Sequence, residues 1–148
     1  MRVAVSCDHA GFPIKATVIE TLRKLGHEVL DFGTDSPTSV DFPDFTEKAC
    51  RAIQRGEAER GVILCGSGVG VVIAANKMKG IYAGLCHDTY SAHQGVEHDF
   101  MNVLCLGGQV IGPALTRELV TAFVNAKFDG GERFVRRVNK MKKLEEEG

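Results

Sequence analysis

Gly61-Val62-Ile63-Leu64-Cys65-Gly66-Ser67-Gly68-Val69-Gly70 runs directly into Val71-Val72-Ile73-Ala74-Ala75-Asn76. The short apolar run ending in a cysteine reads as a buried strand, and glycines at 66, 68 and 70 then open an apolar, helix-compatible segment. Strand, glycine turn and helix start gather several backbone N–H groups around one point beside a thiol. Such a point suits negative charge next to a nucleophile or a base.

The same alternation recurs on both sides of this stretch. Arg2–Cys7 reads as a first strand leaving through Asp8-His9-Ala10-Gly11. A helix is predicted from Phe12 to Leu25, with Pro13 in its first turn and Gly26 as its stop. His27–Asp31 is a second strand, and the stretch from Phe32 to Pro43 is long and rich in turn formers, as functional loops are. Asp44 is expected to cap a helix ending near Arg55, and the helix after the glycine turn is expected to reach Met78. Ile81–Cys86 and Asn102–Leu106 are the fourth and fifth strands, with helices predicted over Thr89–Glu97 and from Pro113 to about Phe128. Strands alternating with helices specify an α/β domain, a parallel sheet covered on both faces, and the continuous apolar strands agree. The whole chain, 1–148, reads as one domain. The tail, Glu132–Leu144, is a further helix whose stripe is Phe134, Val138, Met141 and Leu144. It either folds back on its own domain or lies across a second subunit in a twofold dimer.

A net charge of −1 gives no reason to expect a nucleic acid or an anionic membrane as partner. No apolar run approaches the ~20 residues of a membrane span, and the chain starts on a strand with no export signal in view. The five cysteines are odd in number and contain no C-x-x-C pair. They argue against a disulfide framework or structural zinc and for a cytoplasmic setting.

Ligands of open parallel sheets bind outside the carboxyl ends of the strands. Here those exits are Cys7-Asp8-His9, Asp31-Phe32-Gly33, Cys65-Gly66-Ser67, Cys86-His87-Asp88 and Gly107-Gly108-Gln109. The glycine turn is not a dinucleotide fingerprint, because Val71 stands where the third glycine should fall. It is not a Walker loop, since Val71-Val72 replace Lys-Ser/Thr, nor a low-molecular-weight phosphatase loop, since the arginine six residues after the cysteine is again Val71. A small anion or oxyanion cradle beside a thiol remains. A glycine turn at a helix start favours thiolate at Cys65, whereas Cys7, Cys50, Cys86 and Cys105 read as packing residues. His87, His93 and His98 match no metal-ligand spacing, so neither a metal nor another cofactor is expected. His98, followed by Asp99, reads as an acid near the cradle. Arg133 and Arg137 share a helix face that suits a phosphate or carboxylate, or else a solvated face paired with Glu145-Glu146-Glu147.

Taken together, Asp8-His9-Ala10-Gly11, Asp41-Phe42-Pro43-Asp44, Cys65-Gly66-Ser67-Gly68-Val69-Gly70 with Ala74-Ala75-Asn76-Lys77, Cys86 to Ala92, Asn102-Val103-Leu104 and Gly130-Gly131 resemble the ribose-5-phosphate isomerase B / galactose-6-phosphate isomerase family. The match runs in order over nearly the whole chain. The resemblance implies a three-layer α/β/α Rossmann-like fold with a five-stranded parallel sheet. It also implies a homodimer or dimer of dimers with sites shared between subunits, and metal-independent aldose–ketose isomerisation through a cis-enediol. Carried over by position, Cys65 is the base, and the turn Gly66, Ser67, Gly68, Val69 and Gly70 holds the enediolate. His98 opens the sugar ring, Asp8 and His9 bind hydroxyls and phosphate, and Arg133 and Arg137 bind phosphate. Asp99 stands where the family often has asparagine, and Gln109 where it often has arginine. Both changes make the pocket more negative or less positive, so tetrose, allose and galactose 6-phosphate stand beside ribose 5-phosphate as substrates. The residues alone also allow a non-catalytic nucleotide- or flavin-binding module, against which the absence of tryptophan counts.

Overall fold

The strands β1 (Arg2–Cys7), β2 (Glu28–Asp31), β3 (Arg60–Cys65), β4 (Ala83–Leu85) and β5 (Val103–Gly107) alternate with α1 (Phe12–Lys24), α2 (Phe42–Gln54), α3 (Val69–Ala75), α4 (Thr89–Asp99) and α5 (Pro113–Asn125), and α6 (Glu132–Glu147) closes the chain. This is a computed structural model describing residues 1–148. All strand pairs are parallel, in the order β2-β1-β3-β5-β4. Side chains alternate across the strands. Val62, Leu64, Leu104 and Leu106 therefore face α1, α4 and α5, while Ile63, Cys65, Val103 and Cys105 face α2 and α3. The three-layer expectation holds. The register sets Cys65 beside Gly107 and Cys7 beside Leu64, which aligns the exits of β1, β3 and β5 along one edge.

Several boundaries differ from the sequence reading, each for a local reason. Asp41, not Asp44, stands at the N-cap of α2, because Pro43 is best placed in the first turn, where its missing N–H costs nothing. α3 stops at Ala75 because the Asn76 side chain turns to the backbone of Ala83, donating to its carbonyl at 2.9 Å and accepting its N–H at 2.8 Å. α5 stops at Asn125, short of Phe128, where the Arg60 guanidinium takes the carbonyls of Phe123 and Ala126 at 2.7 Å each.

The tail follows the first of its two readings along its inner face. Phe134 and Val138 are buried, and α6 packs on α4 of its own chain. Leu144, counted in the apolar stripe from sequence, is instead 69% exposed. Glu145 turns inward in its place, accepting the Gly80 N–H at 3.1 Å.

Candidate active site

At the end of β3 the chain turns back on its own cysteine. The Gly68 N–H donates to Cys65 Sγ at 3.1 Å, and the Val69 N–H to Ser67 Oγ at 3.2 Å. Gly68 is left-handed (φ 82°), and a Cβ there would lie 2.5 Å from Leu85 and 3.0 Å from the Leu106 backbone, so only glycine fits. The carbonyls of Cys65 and Gly66 accept from the N–H groups of Gly108 and Gln109 at 2.8 and 3.0 Å. Because a trans peptide sets C=O and N–H on opposite sides, the N–H groups of Gly66 and Ser67 point away from that support. These two, with the N–H groups of Gly70 and Val71, have no hydrogen-bond partner in the chain. Four donors without a partner in the chain thus follow Cys65 within six residues and make up the candidate cradle.

The β1 exit loop leans on this turn. Asp8 is buried, and its Oδ1 accepts from the N–H groups of Ala10 and Gly11 at 3.0 Å each. A Cβ on Gly66 would lie 3.3 Å from Ala10 and 3.0 Å from the side-chain oxygen of Gln109, so both flank the turn. His9 Nδ1 accepts the Val40 N–H at 3.1 Å, which places the proton of the neutral ring on Nε2 and clasps the 32–41 loop to the sheet edge. Asp8, His9, Cys65, the turn from Gly66 to Gly70 and Gln109 thus share one corner of the molecule.

Two neighbours were missed from sequence. The Phe42 ring stands where a Gly70 Cβ would be, 2.8 Å away, and so covers the turn. His87 Nε2 accepts the Gly107 N–H at 3.0 Å. The signals for Phe42 were the length of the Phe32–Pro43 stretch and the family-like run Asp41-Phe42-Pro43-Asp44. Nothing in the sequence could say which neighbouring strand end the ring of His87 reaches.

His98, Asp99, Arg133 and Arg137 form a second group around Phe134. The His98 and Phe134 rings are stacked, with centroids 4.2 Å apart and planes 2° from parallel. The guanidinium groups of Arg133 and Arg137 lie 4.7 and 5.9 Å from the same ring. Gln94 bridges His98 Nδ1 at 3.3 Å and Asp99 Oδ2 at 3.4 Å. One buried aromatic therefore aligns an imidazole and two cations.

The expectation of His98 near the cradle is not met within one chain. α4 leaves the carboxyl edge of the sheet at its N-cap, Asp88, and runs back toward the start of β5. Ten residues of helix carry His98 ~15 Å along that path, to the other end of the sheet. The cradle and the His98 group are separate clusters within one chain.

Burial pushes the thiols of Cys7, Cys50 and Cys86 up to about 11, and that of Cys105 well above the ordinary value. These four stay protonated packing groups at neutral pH, as read from sequence. No helix is long and apolar enough to cross a membrane.

Comparison with known proteins finds relatives over nearly the whole chain. The family description Ribose/Galactose Isomerase matches residues 3–141. Ribose-5-phosphate isomerase B of Escherichia coli (strain K12) is 39% identical over 130 residues, covering 88% of this chain and 87% of its own. D-erythrulose-4-phosphate isomerase of Pectobacterium atrosepticum is also 39% identical, over 133 residues, 88% of this chain and 87% of its own. The structure of Clostridium thermocellum ribose-5-phosphate isomerase B superposes with a TM-score of 0.95 at 41% identity, covering 99% of both chains.

Proposed function

Since the chain belongs to the ribose/galactose isomerase family, and is an aldose–ketose isomerase of sugar phosphates by that membership, we propose that it interconverts ribose 5-phosphate and ribulose 5-phosphate. The observation that carries the mechanism is Cys65 Sγ among unpartnered N–H groups. A carbon acid next to a carbonyl needs a base at the carbon and donors at the oxygen where charge develops. In the open-chain aldose, Cys65 thiolate takes the proton from C2, and the electron pair moves to make the C1–C2 double bond of an enediolate. The free N–H groups of the turn hold its oxygen, the O2 hydroxyl proton passes to O1, and the same sulfur returns the carbon proton to C1 to give the ketose. Asp8 and His9 bind the sugar hydroxyls.

Ring opening and the phosphate fall to the second half-site. A homodimer that sets the cradle of one copy against the His98 group of another completes the constellation. His98 then protonates the ring oxygen, and Arg133 and Arg137 hold the phosphate. The outer face of α3 beside the cradle supports this assembly: Val69 is 46% and Ile73 56% exposed, apolar area that a monomer leaves in water. A tetrose or hexose phosphate is the second reading of the substrate, favoured by Gln109 beside Gly66, where a cation would fix a phosphate of set reach.

The test is incubation with ribose 5-phosphate in deuterated water. Ketose and deuterium at C2 of recovered aldose are expected, and both disappear in Cys65→Ala. Mixing inactive Cys65→Ala with inactive His98→Asn should restore about a quarter of the parent activity, because half of randomly paired dimers then hold one intact site of two. No recovery on mixing refutes the shared site, and a Cys65→Ala enzyme as fast as the parent refutes the base.

A further inference from the structure

Gly107 closes β5 immediately beside Cys65, and the turn rests on it. A Cβ at Gly107 would fall 2.6 Å from the Ser67 carbonyl carbon and 2.9 Å from the Gly66 oxygen. The backbone of the cradle is therefore pressed against the end of β5, and the position of that end fixes how far its donors project. The Gly107 N–H is not bonded to another strand. Its acceptor is His87 Nε2 at 3.0 Å, a side chain from the loop after β4. Donors of the following turn, Gly108 and Gln109, grip the carbonyls of Cys65 and Gly66, so a shift of Gly107 is passed directly to both.

From this chain of contacts we infer that His87 is a positioning residue of the isomerase site, holding the floor on which the cradle donors stand. This rests on the reading of Cys65 as base and extends it. His87 touches neither the sulfur nor the free donors, and it acts through Gly107. Its ring is half-buried, and burial holds its pKa below the ordinary value, so it offers a lone pair at neutral pH. An enediolate exists only during the reaction, so misplaced donors slow the chemical step more than they weaken substrate binding.

The experiment compares His87→Gln, whose side-chain oxygen reaches the place of Nε2, with His87→Asn, whose oxygen reaches only the place of Nδ1. His87→Gln is expected to stay within about threefold of the parent, as displaced donors are otherwise expected to cost on the order of 10- to 100-fold. His87→Asn should show that loss in kcat with KM within about twofold, and faster amide exchange at Gly107. Equal kcat for Asn, Gln and parent overturns the inference, as does an equal loss in both variants or a loss confined to KM. Failure of the underlying reading shows elsewhere, as full activity in Cys65→Ala.

Discussion

Replacing Phe134 by leucine separates what its ring does from what its bulk does. Leucine keeps an apolar group in the buried place between α6 and α4, but it removes the face on which His98 stacks at 4.2 Å and over which Arg133 sits at 4.7 Å. A stacked aromatic pair contributes about 0.5–1.5 kcal/mol beyond its area, and a cation over a ring about 0.5–1 kcal/mol where solvent reaches it. Arg137, at 5.9 Å, lies at the limit of the range and adds little. With about 1 kcal/mol for the smaller volume, a loss of roughly 2–3.5 kcal/mol is expected. Urea unfolding at fixed protomer concentration reads that loss, the concentration being fixed because an assembling protein gains apparent stability with it. Steady-state kinetics on ribose 5-phosphate reads the function: an imidazole and two cations freed from one plane should lower kcat/KM about tenfold, or ~1.4 kcal/mol. Destabilisation by the expected amount with kcat/KM unchanged refutes the assignment of His98 and the arginines to the site.

Two further outcomes follow from particular side chains. Gln109→Arg should lower KM for a phosphorylated sugar, and an unchanged or higher KM means that position 109 does not face phosphate. Burial raises the folded-state pKa of Cys7, Cys50 and Cys86 to about 11, above that of the unfolded chain. The folded form therefore holds protons that the unfolded form has lost. Their contribution is intact below about pH 8.5 and falls by up to about 1.4 kcal/mol per pH unit per thiol as the pH rises toward 11. Thermal unfolding from pH 8 to 10.5 should show this decline, and Cys50→Ala should flatten it. An identical slope in the two proteins excludes Cys50 as a source.

The fold was legible because most strands are short apolar runs and most helices are bounded by proline or glycine, α4 with its Asp88 cap being the exception. The cradle was legible because its chemistry is local: Cys65 and its donors span seven consecutive residues, 65–71. What escaped depended on distance through space. Phe42 reaches Gly70 by way of a long loop, and His87 reaches Gly107 across a sheet edge. His98 was placed beside the cradle by chemical type, but the direction of α4 carries it away. Leu144 obeyed helical spacing, yet the contact between Glu145 and Gly80 decided which side of the last turns faces inward.

The bond pair between Asn76 and Ala83 bears on how copies of this chain can join. In a parallel sheet the N–H and C=O of one residue point to the same side, and at Ala83 that side is the open one, beyond β4. A single amide occupies both groups, as an added strand would, and at three residues β4 has little more edge to offer. The opposite rim, β2, exposes the charges of Glu28 and Asp31. Sheet-to-sheet extension into open-ended fibres is thereby obstructed at both rims. An assembly of this chain would then have to use helical faces, where contact can close on itself after a fixed number of subunits.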